Sequence, residues 1–310
     1  MSRASGVNDY LDRDGSRTPI EFPCGLGLDQ PILAQVVQAA TKWKRMALRQ
    51  SDCKVGEGIC TDMRAVRKDS LPRPRPQCLR GPVGLGEGHH RAAAHLDDLK
   101  ATVCAIWGVI KGAETYIQQE FPKLRTTQVP DLPDELTFLH AEEILDMYLT
   151  CRCKARRRKV LQHHPAIFIV GIGAVLKDGY PHEMRAADYD DLGHPTVSED
   201  GRLMHGLNGD ILVWNSVTRR RHELSSMGIR VTKESLRRQL ELSGQLDFLK
   251  LPYHQAILND KIPVSVGGGI GQSRTVMLLL RKAHLGEVSV SVWPRDLNRI
   301  CEKKNIHVLE

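Results

Sequence analysis

The chain has 310 residues, 41% of them hydrophobic, a formal charge of +7 and a pI near 9.0, so it can bury one large core or two small ones. No apolar run approaches a membrane span or a signal-peptide core, and a cytoplasmic protein is expected. Eight cysteines without regular spacing make no disulfide framework, and neither Cys151/Cys153 nor Cys53/Cys60 has a partner pair at zinc spacing.

Ser5-Gly6-Val7-Asn8-Asp9 opens the sequence on a polar turn with no element before it, which reads as a truncated start. Residues 18–24 suit an edge strand. The spacing of Leu33, Val36, Val37, Ala40, Trp43 and Leu48 predicts a helix over 32–49, with Lys42, Lys44 and Arg45 on its solvated side. Residues 59–67 read as helix or strand. Residues 71–86 carry so much Pro and Gly that neither a helix nor a central strand is expected, only a basic polyproline-like linker. Order returns at Asp97-Asp98, where Leu99, Val103, Ile106, Ile110, Ala113 and Ile117 mark one face of a long amphipathic helix. Residues 142–149 form a short helix, and the Arg-rich run 151–159 reads as a solvated helix face. Residues 166–173 are a buried strand; Gly171-x-Gly173 lacks the third glycine and following helix of a dinucleotide site.

Residues 185–191 are an acidic loop. The strands 210–214 and 223–231 flank a basic turn at 219–221 and pair as an antiparallel hairpin. Helices follow over 235–246 and 252–260. Then comes Gly267-Gly268-Gly269-Ile270-Gly271-Gln272-Ser273-Arg274, between a strand at 264–266 and a helix at 277–285. Glycines there let a flat ligand approach the backbone, and Arg274 in the first helical turn can aim a guanidinium at it. No Gly-Lys-Ser/Thr follows, which excludes a Walker loop. Asp210 and Glu223 lie on neighbouring strands and repel unless a cation sits between them. Mg2+ bridging nucleotide phosphates would answer that repulsion, and pairing with Arg219, Arg220 or Arg221 is the structural alternative. Arg230 and Arg274 are two strong forks for carboxylate or phosphate. Long helices beside hairpin strands, without regular alternation, indicate an α+β fold with a mostly antiparallel sheet.

Gly206-Leu207-Asn208-Gly209-Asp210-Ile211-Leu212-Val213-Trp214-Asn215, Glu223-Leu224-Ser225-Ser226-Met227-Gly228-Ile229-Arg230 and the glycine stretch resemble ammonia-dependent asparagine synthetase, the aspartate–ammonia ligase family. Lys42-Trp43-Lys44-Arg45, Gly56-Glu57-Gly58 and residues 185–191 match the same family in the same order. The resemblance implies a class II aminoacyl-tRNA synthetase-like core in a single domain over 1–310, working as a homodimer. It implies adenylation of the aspartate β-carboxylate by ATP with Mg2+, then displacement of AMP by ammonia. Carried over by position, Arg67 would contact the α-phosphate, and Arg274 would stack on adenine and reach the γ-phosphate. Asp210 and Glu223 would hold the metal, with Ser225, Gly267, Gly268 and Gly269 beside the ATP. Asp9, Lys44, Asp190, Ser226 and Arg230 would line the aspartate and ammonia pocket, with Lys44, Arg67, Asp9 and Asp190 nearest the chemistry.

Two segments, 71–95 and 149–159, depart from the family. Where the family carries His-Ser-Val-Tyr-Val-Asp-Gln-Trp-Asp-Trp-Glu, this chain has residues 76–86. A codon choice for 76–86 exists that, read one base later, spells the family string. An added C likewise turns Tyr148-Leu149-Thr150-Cys151-Arg152 into the family-like Tyr-Pro-Asp-Leu-Pro. Both segments are therefore expected to be translated out of frame, and the literal chain to fold poorly or lack activity. Gln38-Ala39 stands where the family has His-Ser. Removing the out-of-frame arginines shrinks the basic excess, so nucleic-acid binding becomes a minor reading. The alternative function is a non-catalytic synthetase-like protein that binds aspartate or adenylate, or interacts with tRNA.

Overall fold

The computed structural model describes residues 5–7, 19–25, 27, 32–63, 65–66, 79–80, 82–89, 95–151, 153–198 and 200–309, with 65–66, 79–80, 82–89, 154 and 295 described as backbone. In chain order the elements begin with β1 (Glu21–Cys24), β2 (Ile32–Gln35), α1 (Thr41–Gln50), β3 (Gly58–Asp62), β4 (Ala65–Val66), β5 (Leu79–Arg80) and β6 (Pro82–His89). The middle of the chain forms α2 (Leu96–Glu120), β7 (Thr137–His140), α3 (Ala141–Met147), α4 (Cys153–His163), β8 (Ala166–Val170), β9 (Pro195–Val197) and β10 (Leu203–His205). The last third forms β11 (Asn208–Asn215), β12 (Arg220–Ile229), α5 (Lys233–Leu242), α6 (Pro252–Leu258), β13 (Val264–Gly271), α7 (Gln272–Leu279) and α8 (Arg295–Glu302).

The apolar alternation of 208–229 makes the β11–β12 hairpin, and the other strands add on either side of it. The resulting seven-stranded sheet has the order β3-β6-β13-β12-β11-β8-β7. Every pairing in it is antiparallel except β7 with β8. The expected α+β class with a mostly antiparallel sheet is therefore observed.

The two faces of the sheet bury different side chains, as a period of two requires. On one face Phe168, Ile211, Val213, Met227, Ile229 and Val266 meet Leu99, Val103, Ile106, Trp107 and Ile110 of α2. On the other, at the β8 end, Ile167, Ile169 and Leu212 meet Ala141, Ile144 and Leu145 of α3 and Val160 and Leu161 of α4. β8 is covered on both sides, which is why Ala-Ile-Phe-Ile-Val is apolar throughout. A third cluster joins Val7 and Ala187 to Leu236, Leu240, Tyr253 and Ile257 of α5 and α6. No helix among the described residues is long and apolar enough to cross a membrane.

Several expectations are corrected. Ile32–Gln35 is a strand, not the start of a helix, because it pairs with Glu21–Cys24; a short apolar run fits either state until a partner arrives. In α1 the charged residues point inward: Lys42, Lys44 and Arg45 are buried while Trp43 is exposed. In α4, Arg156 and Arg157 are buried rather than solvated. The glycines 267–271 lie inside β13 rather than at a turn after it, and the following helix spans Gln272–Leu279. Partners on both sides of β13 take its backbone hydrogen bonds, which outweighs the local preference of glycine for turns.

The backbone of Pro82–His89 is an internal strand between β3 and β13, contrary to the expected linker. Proline is tolerated at the first residue of a strand, and Pro82 holds that position. Residues 71–78, the proline-rich part of the same stretch, lie outside the described residues.

Gly171 takes a φ of +76°, and a β-carbon there would collide with His140 Nε2 and lie 2.6 Å from the His205 carbonyl oxygen. Gly171→Ala is expected to destabilise the protein by at least about 2 kcal/mol. Denaturant unfolding of the variant checks this; a change within about 0.5 kcal/mol would refute the packing described for this turn.

Candidate active site

On the sheet face opposite α2, polar residues gather along β11, β12 and β13, with α4 beside β11 and β12 and α1 beside β13 and β6. Asp210 stands opposite Ser226, and Ser226 opposite Gly269. Gly228 stands opposite Gly267 one step along. In a regular strand Glu223 and Ser226, three residues apart, would face opposite sides. The register instead shifts between Ile211 and Leu212, so Ile211 faces Ser225 while Leu212 faces Glu223. This bulge inserts one extra residue, and it brings Glu223 onto the same face as Asp210 and Ser226. It also turns Ser225 onto the core side with Leu224 and Ile211, where its hydroxyl is buried with no hydrogen-bond partner.

The glycines divide by face in the same way. Gly268 lies opposite Met227 on the core side, where a β-carbon would come within 2.8 Å of the Ser226 carbonyl oxygen and clash with Met227. Gly267 and Gly269 fall on the side of Ser226 and Asp210, in register with Gly86 and Gly84 of β6. Four glycines on two adjacent strands thus leave a strip of bare backbone beside Ser226.

A ladder of alternating charges rises from the sheet at its β11 end. Arg185 Nη2 donates to both oxygens of Asp210, at 2.8 and 2.7 Å. Its Nη1 lies 3.5 Å from Glu183 Oε2, which also accepts from Arg157 Nη2 at 2.7 Å. Arg157 Nε donates to His182 Nε2 at 2.8 Å, which fixes that ring as a neutral acceptor with its proton on Nδ1. Burial first, and the Arg157 charge second, push His182 down to about 3. At the neighbouring rung Arg274 Nη1 donates to Glu223 Oε1 at 2.9 Å. Burial opposes ionisation of Glu223, but Arg274, Arg185 and Arg157 together hold it at about 2. Burial pushes Asp210 up, against the pull of Arg185 and with the help of Glu223. The partners of the two carboxylates come from the acidic loop and α7, not from Arg219, Arg220 or Arg221 at the turn.

At the other end of the strip, Arg230 is paired with Asp190 and lies over the Tyr189 ring. Burial raises the Asp190 carboxyl, with Arg230 pulling the other way. Gly228 is what admits this pair, since a β-carbon there would sit 3.0 Å from Asp190 Cγ. Gln239 on α5 fixes the loop by donating to the carbonyls of Ala187 and Asp190 and accepting from Leu192 N–H. Asp188 accepts from Lys42 Nζ at 2.5 Å and from His254 Nε2 at 2.9 Å, all three buried. Burial would raise Asp188, but Lys42 and His254 hold it at about 2. Lys44 Nζ donates to the Gly268 carbonyl at 3.2 Å, and Arg45 is anchored on the carbonyls of Pro263 and Val231.

Of the residues named from sequence, Lys44, Asp190, Asp210, Glu223, Ser226, Gly267, Gly269, Arg230 and Arg274 therefore share one sheet face and its rim. Ser225 and Gly268 are turned to the core side of their strands. Asp9 and Arg67 lie outside the described residues. Arg185, Arg157 and Lys42 join the site through Asp210, Glu183 and Asp188; Arg-rich runs and helical lysines look solvated until such carboxylates are located. Glu223 and Arg274 line an open cleft of about 480 Å3, together with Arg220, Arg221, His222 and Lys304. Among the described residues no group of three or more His, Cys, Asp or Glu side chains could hold a metal alone. Asp210 and Glu223 offer hard oxygen donors on one face, a pair that suits Mg2+ when a nucleotide supplies the remaining ligands.

A sequence model of the family described as Aspartate-ammonia ligase matches residues 1–305. Proteins named Aspartate--ammonia ligase from Bacteroides thetaiotaomicron and Bacteroides fragilis are 37% and 38% identical over 308 residues, covering 99% of this chain and 86% of theirs. One from Bacillus thuringiensis is 38% identical and is covered over 88% of its length. In shape the chain is similar to asparaginyl-tRNA synthetase from Pyrococcus horikoshii, solved with asparaginyl-adenylate, at a TM-score of 0.63 and 13% identity. The match covers 93% of this chain and 64% of that one. Entamoeba histolytica asparaginyl-tRNA synthetase, also solved with asparaginyl-adenylate, gives 0.63 at 12% identity, over 92% of this chain and 62% of that one. At these identities the likeness shows the class II synthetase fold.

The buried neutral histidine sets an acid sensitivity. His182 has a folded value of about 3 against 6.5 for the free side chain, so the unfolded chain takes the proton first. Its contribution is complete above pH 6.5 and is lost as the pH falls towards 3, with a slope of up to about 1.4 kcal/mol per pH unit. Asp188 and Glu223, both held at about 2, keep their contributions down to the ordinary carboxylate range and lose them as the pH falls from there towards 2. His182→Gln is expected to flatten the stability curve between pH 6.5 and 4 while leaving the steeper loss below it. Parallel curves for the two proteins in chemical denaturation would contradict this.

Proposed function

The chain belongs to the aspartate–ammonia ligase family, and from that premise we propose that it makes asparagine through a β-aspartyl adenylate. The aspartate β-carboxylate attacks the α-phosphorus of ATP and pyrophosphate leaves; ammonia then attacks the acyl carbon and AMP leaves. The observation that carries this reading is the shared face of Asp210, Glu223, Arg274 and the Gly267/Gly269 backbone strip. It offers backbone without side chains for a flat base and sugar to lie against, and fixed charge for the triphosphate. Asparaginyl-tRNA synthetase from Pyrococcus horikoshii holds an aminoacyl-adenylate on the same fold, which supports the same chemistry.

The chain's own groups would divide the work along the strip. Arg274 at the cleft would lie over adenine and reach the γ-phosphate, while Arg67 would meet the α-phosphate as it becomes five-coordinate. Magnesium held by Asp210 and Glu223 would supply further positive charge against the triphosphate. Arg230, set by Asp190, would receive the aspartate α-carboxylate, with Ser226 and Lys44 on the walls. Ammonia is mostly ammonium near neutral pH, so a carboxylate must take a proton before the attack. Asp190, raised by burial, and Asp9 are the two candidates. A cytoplasmic homodimer is the setting we propose.

The second reading is binding of aspartate or adenylate without turnover. The observation in its favour is β6, where Gly84 and Gly86 face the glycines of β13 in register. The family string would put an Asp and a Glu there, so an out-of-frame origin of this stretch would strip polar groups from the pocket wall.

Aspartate labelled with 18O in its β-carboxylate distinguishes the routes. Label is expected in AMP, at a rate below that of an intact relative; label in inorganic phosphate would overturn the adenylate. Binding of aspartate and ATP with no AMP formed at all would favour the second reading. Arg274→Ala is expected to lower kcat/KM by about 100-fold or more.

A further inference from the structure

Both carboxylates of the candidate metal site are already taken. Asp210 has no exposed surface, and both its oxygens are bonded to one nitrogen of Arg185. Glu223 holds Arg274, whose same nitrogen also lies 3.2 Å from the Glu223 carbonyl. A cation cannot reach Asp210 at coordination distance while Arg185 Nη2 sits 2.7 Å from it.

The charges in the ladder also cancel. Asp210, Glu223 and Glu183 face Arg157, Arg185 and Arg274, three negative groups against three positive ones. A free divalent ion arriving here meets no net attraction and must expel a guanidinium into a neutral cluster. A nucleotide triphosphate changes that balance, because its oxygens can take the guanidiniums that the carboxylates release.

The freedom to move differs among the three arginines. Arg157 is held at both ends, by His182 and Glu183, and its side chain is 1% exposed. It keeps Glu183 occupied and is not a candidate for exchange. The Arg185 and Arg274 side chains are 15% and 33% exposed, each at least as accessible as the carboxylate it holds. Arg274 lines the 480 Å3 cleft together with Glu223.

We infer that Arg185 is an exchange residue: it is the counter-ion of Asp210 before nucleotide binds, and a phosphate contact afterwards. Arg274 does the same at Glu223. The metal and the nucleotide are thereby accepted only together, and free divalent cation is kept out of the site. The inference rests on the ATP reading and adds to it a positioning role for Arg185 and an obligatory coupling.

Manganese binding tests it without any turnover. Equilibrium dialysis with the analogue at equal concentration on both sides counts only the Mn2+ held by protein, with and without α,β-methylene-ATP, for the parent protein, Arg185→Gln, Arg185→Lys and Arg274→Gln. The parent is expected to bind Mn2+ weakly alone and at least about tenfold more tightly with the analogue. Arg185→Gln is expected to bind Mn2+ alone at least about tenfold more tightly than the parent. Arg185→Lys, which keeps the charge, is expected to stay close to the parent. Arg274→Gln, acting on the more exposed carboxylate, provides the same comparison should Arg185→Gln fail to fold. Unchanged nucleotide-free affinity in the folded glutamine variants, with analogue binding intact, would overturn the exchange alone. Failure of every protein to bind the analogue would overturn the ATP reading and the exchange with it.

Discussion

Asp210 sits on a central strand of the sheet with no exposed surface, and Arg185 allows it to stay ionisable there. Removing a carboxylate from water costs several kcal/mol, about the amount that a well-made pair returns. Such a pair adds little to stability in itself, but breaking it leaves a buried carboxylate that must take another cation or a proton. The rest of the candidate site follows from this constraint. Arg185 needs Glu183, Glu183 needs Arg157, and Arg157 needs a neutral His182 to accept its Nε–H. The ladder ties α4 and the acidic loop to the sheet, so the loop that carries Asp188 and Asp190 has a fixed starting point.

The other end of the site is held by a second set of buried charges. Lys42 and His254 converge on Asp188, while Arg230 takes Asp190. Between the two sets runs a strip of glycines, from β13 and β6 in register. Charged walls and a bare floor suit a ligand that is flat at one place and multiply charged at others. The same logic explains why α1 turns its lysines and Arg45 inward. Strand β13, the segments flanking it and the acidic loop present a carboxylate and carbonyl oxygens there, and long cationic side chains satisfy them.

The corrections to the sequence expectations share a cause. A helix pattern with basic residues reads as solvated unless a buried acid is known to lie opposite, and Asp188 is 146 residues away from Lys42. Runs of glycine read as turns because the local preference is strong; pairing on both sides of β13 overrides it. The run 82–89 looked incapable of an internal strand, yet its backbone completes the sheet with proline only at the first position. Glu223 and Ser226 stand at an odd spacing, and a one-residue bulge, invisible in the sequence, brings them to one face.

By itself the sequence determined the α+β class, the hairpin of β11 and β12, the long amphipathic α2, and the family, because these rest on local periodicity and on motifs of several contiguous residues. It also named most of the residues that line the polar face. Only the tertiary structure decided which of them look into the site and which into the core, and which arginine answers which carboxylate. Those choices depend on strand register and on burial between segments far apart in the chain, where a shift of a single residue reverses the face and desolvation reverses the meaning of a charge.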